Sequence, residues 1–283
     1  MIIDVHVHIC PPEVRNNRQA YLPDEPEFAA IYKDPRAKLV GAAELIQTMD
    51  EQGVDKAVVF GFPWRKEENF QLNNDYVLDA AKRYPHRLIP LGCFDATHPK
   101  AGQEAERCLQ AGALGIGELA FYSAGIDEEA REALIPLAKL CAEAKALVSL
   151  HTNEPIGHAY PGKSPMTLFQ LYSLLQATPE TTWILAHLGG GLPFYAFLKK
   201  EVRETLANVW FDTAAMPFLY RPQALTAMAE AVGVDKLLLG TDFPLLPPAR
   251  YFRELADSGL NQDELGAVSG LNAVKLLQAH NDS

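Results

Sequence analysis

A single-domain α/β protein of the (β/α)8 TIM-barrel class is the fold this sequence predicts, and three observations predict it. Eight short apolar runs alternate with stretches of helical character. The runs are nearly continuous in apolar residues, as parallel strands covered on both faces must be. No linker, repeat or low-complexity stretch divides the 283 residues, and barrels of ~250 residues form one domain.

The expected strands cover residues 2–9, 56–62, 88–94, 114–119, 147–151, 182–188, 208–213 and 236–243. Between them, helices are expected at 42–53, 73–84, 99–112, 127–146, 165–178 and 222–233, several ending on Gly or just before Pro. Two segments break the rhythm. Residues 11–40 form an insertion rich in Pro, Asp and Glu after the first strand, and residues 152–165 form a Gly- and Pro-containing loop after the fifth. Both leave the C-terminal ends of strands, where barrels of this kind build their sites. The one domain is expected to span 1–283.

Composition narrows the function. Hydrophobic residues make up 48% of the chain, enough for a large core without staples. Acidic residues outnumber basic ones 36 to 25, a net charge of -11, and no basic run is present to track a phosphate backbone. Nucleic acid is therefore not an expected partner; a small molecule is, and a homo-oligomer is compatible with the sequence. Cys10, Cys93, Cys108 and Cys141 form no CxxC pair, which fits reduced thiols. The opening residues lack a basic stretch followed by an apolar one, and no apolar run reaches ~20 residues. A cytoplasmic protein away from membranes is the expectation.

Polar residues recur at the ends of the apolar runs. Residues two apart on a strand share a face, so Asp4, His6 and His8 point the same way. His6 and His8 then offer two imidazoles to one point, with Asp4 one layer deeper, where a carboxylate can orient a ligating histidine. Glu118 ends the fourth run, His151 the fifth, His187 follows Ile184-Leu185-Ala186 in the sixth, and Asp242 follows Gly240-Thr241 in the eighth. Burying any one of these polar groups costs free energy unless it is paired or coordinated. A barrel brings all these ends to one mouth, so His6, His8, Glu118, His151, His187 and Asp242 are read together as a metal centre. Arg65 and Trp64, after the second strand, are candidates for binding a substrate carboxylate and walling a pocket. His158 on the 152–165 loop and Tyr122 beyond Glu118 are further substrate-contact candidates.

These strings carry a resemblance. Ile3-Asp4-Val5-His6-Val7-His8 resembles the opening of the amidohydrolase superfamily. Leu185-Ala186-His187-Leu188-Gly189-Gly190-Gly191 resembles its sixth-strand motif, Leu238-Leu239-Gly240-Thr241-Asp242-Phe243-Pro244 its eighth, and 271–277 its terminal helix. Order and spacing are similar to amidohydrolase family 2 in particular. The resemblance implies that His6, His8, His151 and Asp242 ligate a divalent metal, with His187 beside the reacting water. Gly115-Ile116-Gly117-Glu118-Leu119 departs from the decarboxylases of that branch. It is more similar to TatD-like hydrolases, in which a glutamate bridges two metals; Glu118 as a hydrogen-bond acceptor behind the ligands is the other reading. One or two ions are expected, with zinc first and manganese as the alternative.

The resulting functional expectation is hydrolysis of a small amide, ester or lactone, with a carboxylate allowed on the substrate. A bound divalent ion lowers the pKa of water towards ~7, with Asp242 and His187 as the catalytic pair and Asp242 carrying the proton. The alternative is nonoxidative decarboxylation of an unsaturated or aromatic acid, which the same branch performs. TatD-like phosphodiester hydrolysis is disfavoured by the acidic charge. A non-catalytic metal-binding protein is the alternative outside enzymes.

Overall fold

The computed structural model describes residues 1–281, so the last two residues of the expected domain lie outside the described residues. Eight strands lie in chain order in one parallel sheet: β1 (Ile3–His8), β2 (Lys56–Phe60), β3 (Leu88–Gly92), β4 (Gly115–Leu119), β5 (Leu147–Leu150), β6 (Thr182–Leu185), β7 (Val209–Asp212) and β8 (Leu237–Leu238). The ring closes between the last and first strands. Leu239 O accepts from Val5 N at 2.8 Å, Asp242 N donates to His6 O at 2.9 Å, and Phe243 O accepts from His8 N at 2.9 Å. The expected barrel is therefore the observed one.

All eight strands stand where the apolar runs placed them, each of them shorter. The eighth shrinks most, from an expected 236–243 to Leu237–Leu238. Beyond it, side chains take over the backbone donors: Gly240 N donates to Thr213 Oγ1 at 3.1 Å and Thr241 N to Asp4 Oδ1 at 3.0 Å. The segment leaves the ladder early and turns Asp242 into the mouth.

On β1 the two faces divide as a barrel wall requires. Val7 and Ile9 pack outward with Leu45 and Met49 of the helix Ala42–Gln52. His6 looks inward, its ring edge-on to Phe60 at 5.0 Å. Ala273, Leu276 and Leu277 of the final helix pack in the same apolar cluster as Ile3, Val5 and Leu238. Core burial of these aliphatic side chains is worth about 1.5–3 kcal/mol each.

The insertion after β1 folds into short helices, Pro12–Asn16 and Pro26–Tyr32, and packs onto the segment that follows β2. Phe28 is fully buried there, its ring 4.4 Å from Trp64 and 5.4 Å from Phe62. Among the described residues no helix is long and apolar enough to cross a membrane. All four cysteines are buried and unpaired with one another.

Candidate metal centre and substrate cavity

Four histidines from three parts of the barrel meet at the mouth, and each is fixed through its outer ring nitrogen. His6 Nδ1 lies 3.0 Å from Asp212 Oδ2 at the end of β7. His8 Nδ1 lies 2.9 Å from Gly61 O, His187 Nδ1 2.9 Å from Ala214 O, and His151 Nε2 2.9 Å from Gly162 O. Carboxylates and carbonyls only accept, so each outer nitrogen carries the hydrogen. In the neutral rings the inner nitrogens His6 Nε2, His8 Nε2 and His187 Nε2 are then left as lone pairs, while His151 Nδ1 lies at hydrogen-bond distance, 3.0 Å, from Glu118 Oε1.

Glu118 stands in the middle, 2% exposed. Its two oxygens face different pairs. Oε2 lies 3.6 Å from both His6 Nε2 and His8 Nε2. Oε1 lies 3.0 Å from His151 Nδ1 and 3.6 Å from His187 Nε2. Asp242 Oδ1 adds a second carboxylate beside the first pair, 3.3 Å from His8 Nε2 and 3.7 Å from His6 Nε2. His187 and Asp242 both hold left-handed backbone, φ +56° in each case. For residues other than glycine that conformation costs of order 1–3 kcal/mol and recurs at functional sites.

The donor set fits a cation. His6 Nε2 is buried with no hydrogen-bond partner, an omission that costs about 1–3 kcal/mol in an apolar setting. His187 Nε2 and His151 Nδ1 sit 3.1 Å apart, a contact two lone pairs do not make without positive charge between them. The electrostatics agree. Burial works against a charged His6 ring, yet the Glu118 and Asp212 carboxylates outweigh it and hold its pKa well above the ordinary imidazole value. Burial would raise Glu118, but the charges of His6 and His151 keep its carboxyl well below the usual range. Asp242 behaves likewise: burial is overcome chiefly by the His8 hydrogen bond and the His6 charge, and its pKa falls. Two triads offer close ligand atoms, His6–His8–Glu118 and Glu118–His151–His187, with Glu118 common to both.

Two buried aspartates support this set from behind. Asp212, fully buried, uses Oδ1 to accept from His187 N at 3.2 Å and Ala214 N at 2.9 Å while Oδ2 holds His6. Asp4 accepts from the backbone nitrogens of His6 and Thr241 and from the Thr241 hydroxyl. Burial pushes its carboxyl up to about 7 in spite of those donors. The expectation that Asp4 orients a histidine ring is thus corrected: Asp212 orients the ring, and Asp4 fixes the turn that carries Asp242. Gly240 lets the two walls meet, since a side chain there would strike His6 Cβ at 2.9 Å and Asp212 Cβ at 3.0 Å. Sequence reasoning passed over Asp212, although it ends the apolar run Val209-Trp210-Phe211 as the chosen residues end theirs.

The centre opens into a cavity of about 670 Å³ lined by His8, Glu118, His151, His187 and Asp242 at its inner end. Tyr122 and His158, two of the substrate-contact candidates, line it. Tyr122 stands nearly parallel to Phe62, planes 16° apart and centroids 6.2 Å apart, with its ring edge-on to His151 at 4.9 Å. Trp64 and Arg65 are not brought to this cavity. Trp64 is fully buried against Phe28, its Nε1 donating to Asn73 Oδ1 at 2.9 Å. Arg65 points away to Glu27 at 3.4 Å, its side chain 44% exposed. Lining residues that sequence reasoning left out, Tyr32 and Lys38, come from the insertion.

Comparison with known proteins places this architecture. The family model described as amidohydrolase matches residues 3–279. A manganese-bound 5-carboxyvanillate decarboxylase from Novosphingobium aromaticivorans superposes with a TM-score of 0.75 at 17% identity, covering 98% of this chain and 96% of that one. A 2,6-dihydroxybenzoate decarboxylase from Rhizobium gives 0.71 at 16% identity, covering 100% and 99%. A 4-oxalomesaconate hydratase from Rhodopseudomonas palustris gives 0.67 at 17%, covering 100% and 97%.

Proposed function

The chain belongs to the amidohydrolase family, and from that premise we propose that it is a divalent-metal-dependent enzyme that removes carbon dioxide, without oxidation, from an aromatic or conjugated unsaturated acid. The observation that carries this reading is a cavity with one flat aromatic face, the stacked pair Phe62 and Tyr122 with ring planes 16° apart, whose inner end reaches His8, His151, His187, Glu118 and Asp242. Two of the proteins of like fold are named for decarboxylation of ring acids. That support reverses the order expected from sequence, in which hydrolysis stood first.

His6, His8, Glu118 and Asp242 would hold the metal, with His151 and His187 on the far side of Glu118. Bound there, a divalent cation would anchor a substrate oxygen and stabilise negative charge on it. Manganese and zinc both suit imidazole with carboxylate; the neighbour with manganese bound favours the former. The stacked pair Phe62 and Tyr122 offers one flat face against which the ring can lie. Asp242, at the solvent end with its side chain 17% exposed and ionised at rest, takes a proton from solvent and delivers it to the carbon that bears the carboxylate. The C–C bond then breaks, its electron pair restores the conjugated system, carbon dioxide leaves, and Asp242 is returned to its carboxylate form. His187 donates a hydrogen bond to a substrate oxygen. Its ring is suited to this: burial lowers its pKa, but the Glu118 hydrogen bond and charge raise it above the ordinary value.

A second reading rests on Glu118. Because each of its oxygens faces a separate histidine pair, the centre has donors for two cations, an arrangement suited to hydrolysis of a small amide, ester or lactone. Hydroxylated benzoic acids, lactones and esters, supplied with manganese or zinc, separate the two. Carbon dioxide from a ring acid, with no acid released from lactones or esters, is the expected result. Hydrolysis alone transfers the assignment to the second reading, and neither activity on a metal-loaded protein overturns both.

A further inference from the structure

The charges around the cavity are unequal. Glu118, Asp242 and Glu154 line it, against a single ammonium, that of Lys38. Glu154 is already engaged: Lys163 Nζ donates to one oxygen at 2.8 Å and the Tyr160 hydroxyl to the other at 2.9 Å. Lys38 makes no hydrogen bond or ion pair among the described residues. Asp34, the nearest acid along its own loop, is taken by Arg36 through contacts of 2.7–3.1 Å.

Lys38 is nevertheless held in place through its backbone. The Arg18 guanidinium donates to the carbonyls of Tyr32, Asp34 and Ala37 at 3.2, 3.0 and 2.7 Å, which sets the shape of the loop up to the residue before Lys38. Two residues later, Val40 O accepts from Cys10 N at 2.8 Å. The flexible part is the side chain alone, so an ion pair made there loses less entropy than one on a free loop. Tyr32 and Tyr122 line the same cavity, and neither phenol has a hydrogen-bond partner among the described residues. A phenol carries an O–H donor, and neither of these two is spent on a protein acceptor among the described residues. Lys38, Tyr32 and Tyr122, three residues that line one cavity and whose polar ends have no hydrogen-bond partner among the described residues, offer donors for an anion.

We propose that Lys38 determines substrate specificity by binding a second anionic group, a carboxylate or phenolate, on an acid whose first carboxylate lies at the histidine–carboxylate centre. The inference rests on the acid-substrate reading above and deepens it: the substrate is a ring or conjugated acid with two negative groups at opposite ends.

Calorimetry on the manganese-loaded protein tests this with three probes: benzoate, isophthalate and terephthalate. At least one diacid is expected to bind the wild-type protein about tenfold more tightly than benzoate, the scale of ~1.4 kcal/mol. Lys38→Met is expected to reduce that ratio to within about twofold and Lys38→Arg to keep it, with melting temperatures unchanged because the side chain is exposed. Equal binding of all three probes by the wild type, or a ratio that survives in Lys38→Met, overturns the role of Lys38 and leaves the acid-substrate reading intact. Failure of all three to bind the wild type overturns that reading, and this proposal with it.

Discussion

Asp212 joins two histidines from separate strand ends, holding the His6 ring at 3.0 Å with one oxygen and the His187 backbone nitrogen at 3.2 Å with the other. A carboxylate behind a ligating imidazole fixes its tautomer and its direction, and loss of such a partner typically costs 10–100-fold in metal affinity. Asp212→Ala is therefore expected to weaken manganese or zinc binding by at least about tenfold. Asp212→Asn keeps an acceptor for His6 Nδ1 and should lose less. Chelator competition measures both; unchanged affinity in Asp212→Ala would mean that the His6 ring is held by its packing alone.

Asp242 separates metal binding from proton transfer. It stands beside His8 and His6 and also lines the cavity. Asp242→Asn keeps the shape and one coordinating oxygen but removes the charge and the proton-carrying group. Acid–base catalysis contributes ~10²–10⁴ in rate, so kcat should fall at least ~10² while the fold survives. His6→Ala should lose metal as well as activity. Melting curves and metal content accompany the assay; a folded, loaded Asp242→Asn working near the wild-type rate removes Asp242 from the mechanism.

Glu118 governs stoichiometry. With one oxygen towards His6 and His8 and the other towards His151 and His187, the expected content is one tightly held divalent ion per chain and a second at partial occupancy. Elemental analysis of protein purified without chelator reads this directly. His151→Ala should remove the partial ion and spare most of the first. If His151→Ala empties the site completely, there is one shared position rather than two.

Barrel class and the residues that gather at its mouth were legible in the sequence for one physical reason. Apolar runs ending in a single His, Glu or Asp mark strands that finish at a mouth, and His6, His8, Glu118, His151, His187 and Asp242 all follow that pattern. What was not legible depends on contacts far apart in sequence. Asp212 meets His6 across 206 positions. Trp64 and Arg65 turn away because the insertion supplies Phe28 to stack on one and Glu27 to pair with the other. The shortening of β8 reflects the capture of its backbone donors by Thr213, 27 positions away, and by Asp4, 237 positions away. Strand periodicity cannot report any of these, because the partner, not the local pattern, decides the direction.

Glu104 gives the barrel wall an acid-sensitive pair. It is 3% exposed and accepts from Asn74 Nδ2 at 2.7 Å and from Arg107 Nε and Nη2 at 2.8 Å. Burial would raise its carboxyl, but the Arg107 and Asn74 hydrogen bonds prevail and its pKa is lowered. A depressed folded pKa stabilises the protein above the unfolded value, ~4.3 for Glu, and that contribution disappears as pH falls through the folded value. Glu104→Gln is expected to cost about 1–3 kcal/mol near neutrality. The gap from wild type should stay level from about pH 7 to pH 5.5 and close below about pH 4. Denaturant titrations across that range check the sign; a gap that widens in acid would contradict it.

Glu25 fastens the insertion over the cavity. Only 1% exposed, it accepts from Arg65 N at 2.9 Å, Lys66 N at 3.0 Å and Asn69 Nδ2 at 2.6 Å, at the start of the helix Glu67–Arg83. A carboxylate is favoured there by charge as well as by hydrogen bonding, because a helix N-terminus is electropositive. Glu25→Gln replaces one acceptor with an NH2 group that faces a donor, leaving a buried group unpaired at about 1–3 kcal/mol. The insertion carries Tyr32 and Lys38 into the cavity, while the histidines and Asp242 belong to the barrel itself. Loosening the clasp should therefore raise KM and leave kcat nearly unchanged. The same variant should open locally before it unfolds globally, so limited proteolysis is expected to cut within residues 11–40 while the barrel stays intact. A variant that melts earlier as a single unit, with no early cleavage in the insertion, would show that Glu25 stabilises the whole barrel rather than its cover.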